Sequence, residues 1–512
     1  MDLFFVFVAQ KFYITTSIAY VNAKPHIGFA MELIQADALA RYHRLKGDET
    51  FFLTGTDEHG MKLAQTAKDK GQTPRELVDE NSAHFSNLTG TLNISNDGFV
   101  RTTDEAHKRG AQKLWKKMVE AGDMYKDSYE GLYCVGCEAF VLEKDLVEGK
   151  CPNHNTEPQL LKEENFFFRL SKYSEIIGDK IESGELKVVP ESRRNEILAV
   201  IKEGLRDVSF SRPKSVLKWG IDVPDEPDQV MYVWCDALSN YITAIGYEQE
   251  SDQFQRFWPA DVHLIGKDIL RFHSAIWIGM LLSAGVPIPK SIYVHGFITS
   301  EGKKMSKSLN NVVDPVEYVD TFGADALRYF LLKEIPTTDD GDFSKERFNV
   351  VYESELANNI GNLVSRVLAM TAKYFEEKVP PSDRKNELVS GQLHDIWKAY
   401  DEAFSRFDLK VALEKAAELA MFANKYVEET KPWVLAKSDT VMLGNVLYDL
   451  LEMVRHLGLM LAPFVPATSE KICGYLGIES KPEDMEKARQ YGLLKSGGTI
   501  TKAEPLFARI VV

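Results

Sequence analysis

Lys11-Phe12-Tyr13-Ile14-Thr15-Thr16-Ser17-Ile18 is a run of aromatic and β-branched residues, leading through Ala19-Tyr20-Val21-Asn22 to the turn Pro25-His26-Ile27-Gly28. The next stretch, Phe29 to Lys46, carries Leu33, Ile34, Ala38, Tyr42 and Leu45 on one helical face. Thr50 to Leu53 reads as a second buried strand, followed by two more amphipathic helices. A strand–helix–strand beginning predicts a parallel sheet wrapped by helices, with its site beyond the carboxyl ends of the strands. The same rhythm resumes at Val230–Trp234, Val262–Ile265 and Ser291–Ile298.

Between Asp127 and Asp228 that rhythm breaks. This stretch holds three of the five cysteines, many Gly and Pro residues, and short alternating runs such as Asn165–Leu170, so it reads as an insertion between two halves of the sheet. After Asp314 the chain turns helical. Val350–Tyr374, Gln392–Phe407, Leu409–Glu429 and Val441–Leu461 predict an antiparallel bundle, and Leu493–Val512 an extended tail packed back on it.

At 512 residues the chain is too long for a single core. Its 44% hydrophobic and 27% charged content is that of an ordinary globular protein. A net charge of −15 argues against a general nucleic-acid coat, though a local basic stripe can still hold an RNA. Leu3–Ala9 is apolar but lacks a preceding basic region and a cleavage site, so a strand is expected there and not a signal peptide or membrane span. Five cysteines in so long a chain point to reduced thiols or a metal, and the cytoplasm is the expected compartment.

Three motifs carry chemistry. His26 and Gly28 open a helix, whose N-terminal N–H groups and dipole suit a phosphate, while Gly28 lets a ligand approach the backbone. Gly302-Lys303-Lys304-Met305-Ser306-Lys307-Ser308 follows the last strand, and flexible lysines there can close over a polyphosphate. Cys134-Val135-Gly136-Cys137, then thirteen residues, then Cys151-Pro152-Asn153-His154 presents two ligand pairs of the spacing that holds one structural zinc. Four protein ligands leave no open position for catalysis. Cys235 and Cys473 read as buried thiols.

The His-Ile-Gly turn and the Lys-Met-Ser-Lys-Ser loop, in this order, resemble the class I aminoacyl-tRNA synthetase pattern. Thr54-Gly55-Thr56-Asp57-Glu58-His59-Gly60, Tyr232-Val233-Trp234-Cys235-Asp236-Ala237, Ile265-Gly266-Lys267-Asp268-Ile269, Phe272-His273, Val294-His295-Gly296-Phe297 and Lys431-Pro432-Trp433 narrow the resemblance to the methionyl-tRNA synthetase family. That resemblance implies a Rossmann-like parallel-sheet catalytic domain split by a zinc-binding insertion and followed by an all-α anticodon-binding bundle. The expected divisions are 1–126 and 229–313 for the two catalytic halves, 127–228 for the insertion, 314–355 for a linker contacting the tRNA stem, and 356–512 for the bundle and tail.

It further implies activation of L-methionine with ATP and transfer to initiator and elongator tRNA. His26, Lys304 and Lys307 would be catalytic. ATP would meet His26, Gly28, Gly266, Asp268, His295, Lys304, Met305, Ser306, Lys307 and Ser308, accompanied by Mg2+. Ile18, Ala19, Tyr20, Asp57, Trp234, Ala237, Tyr241, Ile269 and His273 would bind methionine. Aromatic walls accept a polarisable thioether without offering charge, and Asp57 would take the α-ammonium. Asn362, Arg366 and Trp433 would bind the anticodon. Any further tRNA affinity would come from a separate partner protein, and neither DNA nor membrane is an expected partner.

Other readings are a synthetase for cysteine, leucine, isoleucine or valine, and a catalytically silent tRNA-binding protein. A cysteine enzyme favours a thiolate-binding zinc in the pocket, and the branched-chain enzymes need larger insertions. One departure stands out. The family's first signature normally ends in a second histidine, and here the residue is Phe29, which can neither donate a hydrogen bond nor carry charge. Either His26, Lys304 and Lys307 with magnesium suffice and Phe29 packs the helix start, or activation is slow; the intact remaining motifs favour an active enzyme.

Overall fold

A computed structural model describes residues 10–508 apart from 137, 138, 142, 153, 154 and 306–310. The strand Lys11–Thr16 lies in the middle of a seven-stranded sheet whose pairings are all parallel. On one side it pairs with Glu49–Asp57, which pairs with Gly98–Arg101; on the other come Val262–Gly266, Ser291–His295 and Lys187–Val189. The short strand Ala19–Tyr20 joins Glu49–Asp57 at Thr56 and Asp57. Because the chain leaves its first strand in both directions, a crevice opens at the strand ends near Ser17 and Gly266, where an open α/β sheet binds ligands.

The side chains of these strands alternate between two cores, as a period of two requires. Phe12, Ile14, Phe52, Leu264 and Tyr293 enter a core with the helix Ile27–Leu45 and the C-terminal helices. Tyr13, Leu53, Ile265, Ile292 and Val294 enter a second core with the helix Glu105–Glu120 and the segment Phe272–Trp277.

Three expectations about strands are revised. Gln229–Met231 stays out of the main sheet, pairing antiparallel with Ser211–Pro213, and Val233–Leu238 is helical, so Trp234 lies on a helix. A short apolar run does not distinguish these forms by periodicity. The run Ser291–Ile298 divides at Gly296, where an added Cβ would lie 2.2 Å from the Asp339 carbonyl carbon, so only glycine permits the backbones to meet. Ile298–Ser300 then joins Lys303–Lys304 and Gly341–Phe343 in a separate small sheet. Third, Lys187–Val189, from within the stretch read as an insertion, forms an edge of the main sheet. The rest of that stretch is built on a long hairpin of Met124–Cys134 with Gln159–Phe168, flanked by Ala139–Val141 and Val208–Ser209.

The C-terminal helices include Asn362–Phe375, Glu387–Ser405, Leu409–Thr430 and Thr440–Leu461. The long helix expected over Val350–Tyr374 is interrupted by a π-helical stretch, Tyr352–Gly361. The tail packs back as expected, with Val379 N–H donating to Gly498 O (2.8 Å) and Ile500 N–H to Glu377 O (2.9 Å). Residues 1–9, where a strand was expected, lie outside the described residues.

Sheet and bundle share one core. At its centre Arg328, fully buried, holds Asp37 of the helix Ile27–Leu45 at 2.7 Å and donates to the carbonyls of Phe464 (2.7 Å), Pro463 (3.1 Å) and Leu92 (3.2 Å). Asp37 also accepts from Arg41 (2.7 Å) and from the Ser95 N–H and hydroxyl. Burial alone would raise the Asp37 pKa, but the two guanidinium groups and Ser95 outweigh it and hold the carboxyl below its usual value. Near the end of the same helix Tyr42 stacks on Phe404 at 3.8 Å and donates to Asp401. No described helix is long and apolar enough to cross a membrane.

Candidate active site

His26 is the N-cap of the helix Ile27–Leu45. Its Nδ1 accepts from Gly28 N–H at 3.0 Å. With Nδ1 acting as acceptor, a neutral ring carries its proton on Nε2, which makes that atom a donor. His26 is exposed to solvent from one side, yet the protein packed around it desolvates the ring and lowers its pKa, favouring this neutral form. An added Cβ on Gly28 would lie 2.9 Å from His26 Cε1, so glycine is what lets the ring fold back over the helix start.

The sequence reading expected open amides at this helix start. In the structure they are taken: Ile27 N–H donates to Val313 O (3.1 Å), Gly28 N–H to His26 Nδ1, and Phe29 N–H to His26 O (3.0 Å). What the helix start offers a phosphate is therefore its dipole and His26 Nε2, not free backbone donors. The Phe29 ring turns to Phe85, edge-to-face at 5.0 Å, and packs the helix start.

The Ile27–Val313 bond also brings the two signature motifs together. Val313 follows the lysine loop, and at the loop's other end Gly302 N–H donates to Asp342 (2.7 Å). The loop is thus tied down on both flanks beside the crevice. Lys303–Lys304 pairs with Ser300 and Thr299, and Met305 packs, half-buried, against the core shared by sheet and bundle. Ser306, Lys307 and Ser308 lie outside the described residues.

Across the crevice, Gly266, Asp268 and His295 form one corner. A Cβ on Gly266 would lie 2.9 Å from Asp268 Oδ1 and 3.7 Å from His295 Cε1. His295 Nδ1 faces Gly296 O at 2.7 Å and Nε2 faces a Glu32 carboxylate oxygen at 2.9 Å. Both partners are acceptors, an arrangement that favours the doubly protonated, positively charged ring, which can donate to each. Burial opposes that charge, but the bond and charge of Glu32 and the Gly296 carbonyl prevail, and the His295 pKa is raised. The other Glu32 oxygen takes the Ser17 N–H and hydroxyl, both at 2.6 Å. Sequence reasoning missed Glu32; a buried acid one helical turn after Gly28 was the available signal.

The residues expected around methionine gather beyond the strand ends. Tyr241 and His273 are buried, with Tyr241 Oη 2.7 Å from His273 Nε2 and His273 Nδ1 3.0 Å from Ile269 O. The carbonyl fixes the proton on Nδ1, so Nε2 accepts from the tyrosine hydroxyl. Burial lowers the His273 pKa to about 4, leaving it neutral near pH 7. Trp234 is half-buried, stacks on Phe272 at 3.8 Å and meets His273 edge-on. Phe272, quoted in a motif but given no role by sequence, is what fixes the indole plane. Ala237 lies on the same short helix as Trp234. Ile18, Ala19 and Tyr20 are half-buried at the end of the first strand, and Tyr20 pairs with Asp57, itself buried at the end of its strand.

Farther away, Cys134 ends its strand and Cys151 lies in a turn where Asn155 N–H donates to Cys151 O; both side chains are buried. Cys137 and His154 lie outside the described residues. In the bundle, Asn362 is exposed and Arg366 pairs with Glu428 (2.8 Å), near the end of the helix that Trp433 follows. Trp433 is 39% exposed, unusual for an indole with no role at a surface.

A profile described as tRNA synthetases class I (M) matches residues 12–159 and 154–368, and one described as the anticodon binding domain of methionyl tRNA ligase matches residues 378–511. A methionine–tRNA ligase of Caldanaerobacter subterraneus subsp. tengcongensis is 46% identical over 509 residues, covering 98% of this chain and 79% of that protein. One from Brucella suis biovar 1 is 42% identical over 510 residues, covering 98% of both. The structure of Mycobacterium tuberculosis methionyl-tRNA synthetase in complex with methionyl-adenylate superposes with a TM-score of 0.94 at 39% identity, covering 98% of this chain and 100% of that one. With a class I sheet domain, a methionyl anticodon-binding domain and relatives of this closeness over nearly its whole length, the chain belongs to the methionyl-tRNA synthetase family, the methionine–tRNA ligases.

Proposed function

We propose that the residues described above carry out methionine activation in the crevice, and the observation that carries this is the Ile27–Val313 bond joining the two signature segments at one place. The methionine carboxylate oxygen forms a bond to the α-phosphorus of ATP while the bond to pyrophosphate breaks. The 3′-terminal hydroxyl of the tRNA, initiator or elongator, then attacks the activated carbonyl and releases AMP. No covalent nucleophile of the protein is required. His26 Nε2 donates to the charge that develops on the phosphoryl oxygens, and Lys304 and Lys307 close over the leaving pyrophosphate. Met305, Ser306 and Ser308 would shape that loop around the nucleotide. Magnesium accompanying ATP would supply further positive charge at the same oxygens.

Gly266 and Asp268 accommodate the ribose, with the His295–Glu32 pair supporting that corner. Asp57 receives the α-ammonium, and Trp234, Tyr241, His273, Ile269, Ala237, Ile18, Ala19 and Tyr20 surround the side chain. A neutral His273 and a Tyr241 hydroxyl committed to it leave the wall without charge, which suits a thioether. Asn362, Arg366 and the exposed Trp433 meet the anticodon, stacking being the usual grip on an unpaired base. The cytoplasm is the proposed compartment, and a separate tRNA-binding protein could add affinity.

Pyrophosphate exchange should be supported rapidly by methionine alone among the standard amino acids. Trp234→Ala should raise the methionine KM about tenfold or more and leave the ATP KM near the parent value. Exchange with leucine or cysteine and none with methionine would overturn the assignment.

For the insertion, Cys134, Cys137, Cys151 and His154 would hold one structural zinc, whose binding free energy contributes to folding. The burial of Cys134 and Cys151 fits such a site. Elemental analysis should find one zinc per chain, and Cys151→Ala should lower the occupancy and loosen the hairpin. Zinc-free protein from a chelator-free preparation would exclude the site.

A further inference from the structure

Glu58, His59 and Asp236 lie within the sequence motifs, yet none has been given a part in the reaction. Asp236 is fully buried on the short helix Val233–Leu238, two residues after Trp234 and next to Ala237. One carboxylate oxygen lies 2.7 Å from His59 Nδ1 and the other 2.7 Å from His107 Nε2. His107 Nδ1 in turn lies 2.8 Å from the Thr243 hydroxyl. His59 stands two residues beyond Asp57 and is itself buried.

The segment between them is held just as firmly. The Glu58 carboxylate accepts from Arg101 through two nitrogens (2.6 and 2.9 Å) and from the Thr56 and Thr103 hydroxyls (2.8 and 2.5 Å). Its backbone is fixed too: Glu58 N–H donates to Thr102 Oγ1 at 2.9 Å, and Trp219 Nε1 donates to Glu58 O at 2.6 Å. The Trp219 ring lies 5.4 Å from the His59 ring. None of these bonds uses Asp57, but together they anchor the chain immediately after it.

We infer that His59 and Asp236 are positioning residues that set the spacing between Asp57 and the wall formed by Trp234 and Ala237, and through it the length of side chain the site accepts. This inference rests on the proposal that Asp57 takes the ammonium and Trp234 borders the thioether. An amino acid is then held at two ends by parts of the chain far apart in sequence, and the His59–Asp236 bond, 177 residues apart, is the cross-brace between them. Without it the loop beyond Asp57 keeps its Glu58 anchors but loses the His59–Asp236 bond to the helix of Trp234. The spacing then relaxes, and a longer substrate is penalised less.

The test is pyrophosphate exchange with methionine and with ethionine, which is longer by one methylene, using the full-length chain. His59→Ala should raise the methionine KM about tenfold, leave the ATP KM unchanged, and lower the methionine-to-ethionine ratio of kcat/KM about tenfold, within the range one methylene can be worth. His59→Asn keeps an N–H near the Nδ1 position and should restore most of both effects. A structural role alone would lower kcat for the two substrates together and leave their ratio alone. If Asp57→Ala and Trp234→Ala raise the methionine KM while His59→Ala leaves both the KM and the ratio at parent values, the brace is excluded. If Asp57→Ala and Trp234→Ala leave the methionine KM unchanged, the underlying site assignment fails instead.

Discussion

Replacing His26 by alanine should lower the kcat of adenylation about 10²–10³-fold, the cost of one lost donor to transition-state charge, with little change in methionine KM. The ring's two nitrogens have separate duties. Nδ1 is spent on the Gly28 N–H, which leaves Nε2 as the donor, and Phe29 supplies none at the neighbouring position. Alanine removes both functions, including a cap worth about 1 kcal/mol. Asparagine separates them: it caps a helix well, so His26→Asn should match the parent in thermal stability while remaining as slow as His26→Ala. A His26→Ala enzyme within threefold of the parent kcat would remove the assigned role. Phe29→His adds a second donor at the cost of the contact with Phe85, worth about 0.5–1.5 kcal/mol, and should raise the adenylation rate. A slower Phe29→His enzyme would mean the position has been rebuilt around phenylalanine.

Arg328→Leu should destabilise the chain by about 3–5 kcal/mol, the cost of breaking a buried ion pair by removing one partner. Asp37 would keep Arg41 but lose the guanidinium that links it to the carbonyls of Pro463 and Phe464. Arg328→Lys keeps the charge without the planar fork and should fall between parent and leucine variant. The effect depends on pH with a definite sign. Asp37 has a lowered folded pKa, so its contribution is fully present above the unfolded carboxyl value, about 3.9, and is lost as pH falls through the folded value. Urea midpoints of parent and Arg328→Leu should therefore converge below about pH 4. A constant gap down to pH 2.5 would mean that the lost packing, not the charge, sets the cost.

Much of the frame was legible in sequence because it rests on local periodicity. Leu33, Ile34, Ala38, Tyr42 and Leu45 mark one face, and the helix Ile27–Leu45 bears it out; the runs near Phe12, Phe52, Leu264 and Tyr293 are strands as read. Periodicity misread Val230–Trp234, since a run of four or five apolar residues suits a strand or a buried helix equally. It also missed Lys187–Val189, too short to show alternation and made a strand only by the edge offered by Ser291–His295. Within the site, motif resemblance supplied the residues proposed to meet methionine and ATP. It was silent on Glu32, Phe272 and the His59–Asp236 pair, whose partners are distant in sequence and whose roles exist only once the chain has folded.

The alternation of the central strand between two cores has a consequence for how this sequence can drift. Tyr13 donates to Tyr241 O at 2.7 Å and enters the core of Tyr241 and Trp277, while Phe12 and Ile14 enter the core shared with the helix Ile27–Leu45 and the bundle. Two neighbouring letters of the sequence therefore answer to opposite faces of the sheet. A substitution at Tyr13 can be compensated around Tyr241, Phe51, Phe257 and Trp258, and one at Ile14 in the core that also holds Ile34 and Leu39. Correlated change along this strand should accordingly skip every other residue, and each of the two interleaved sets should follow its own distant companions.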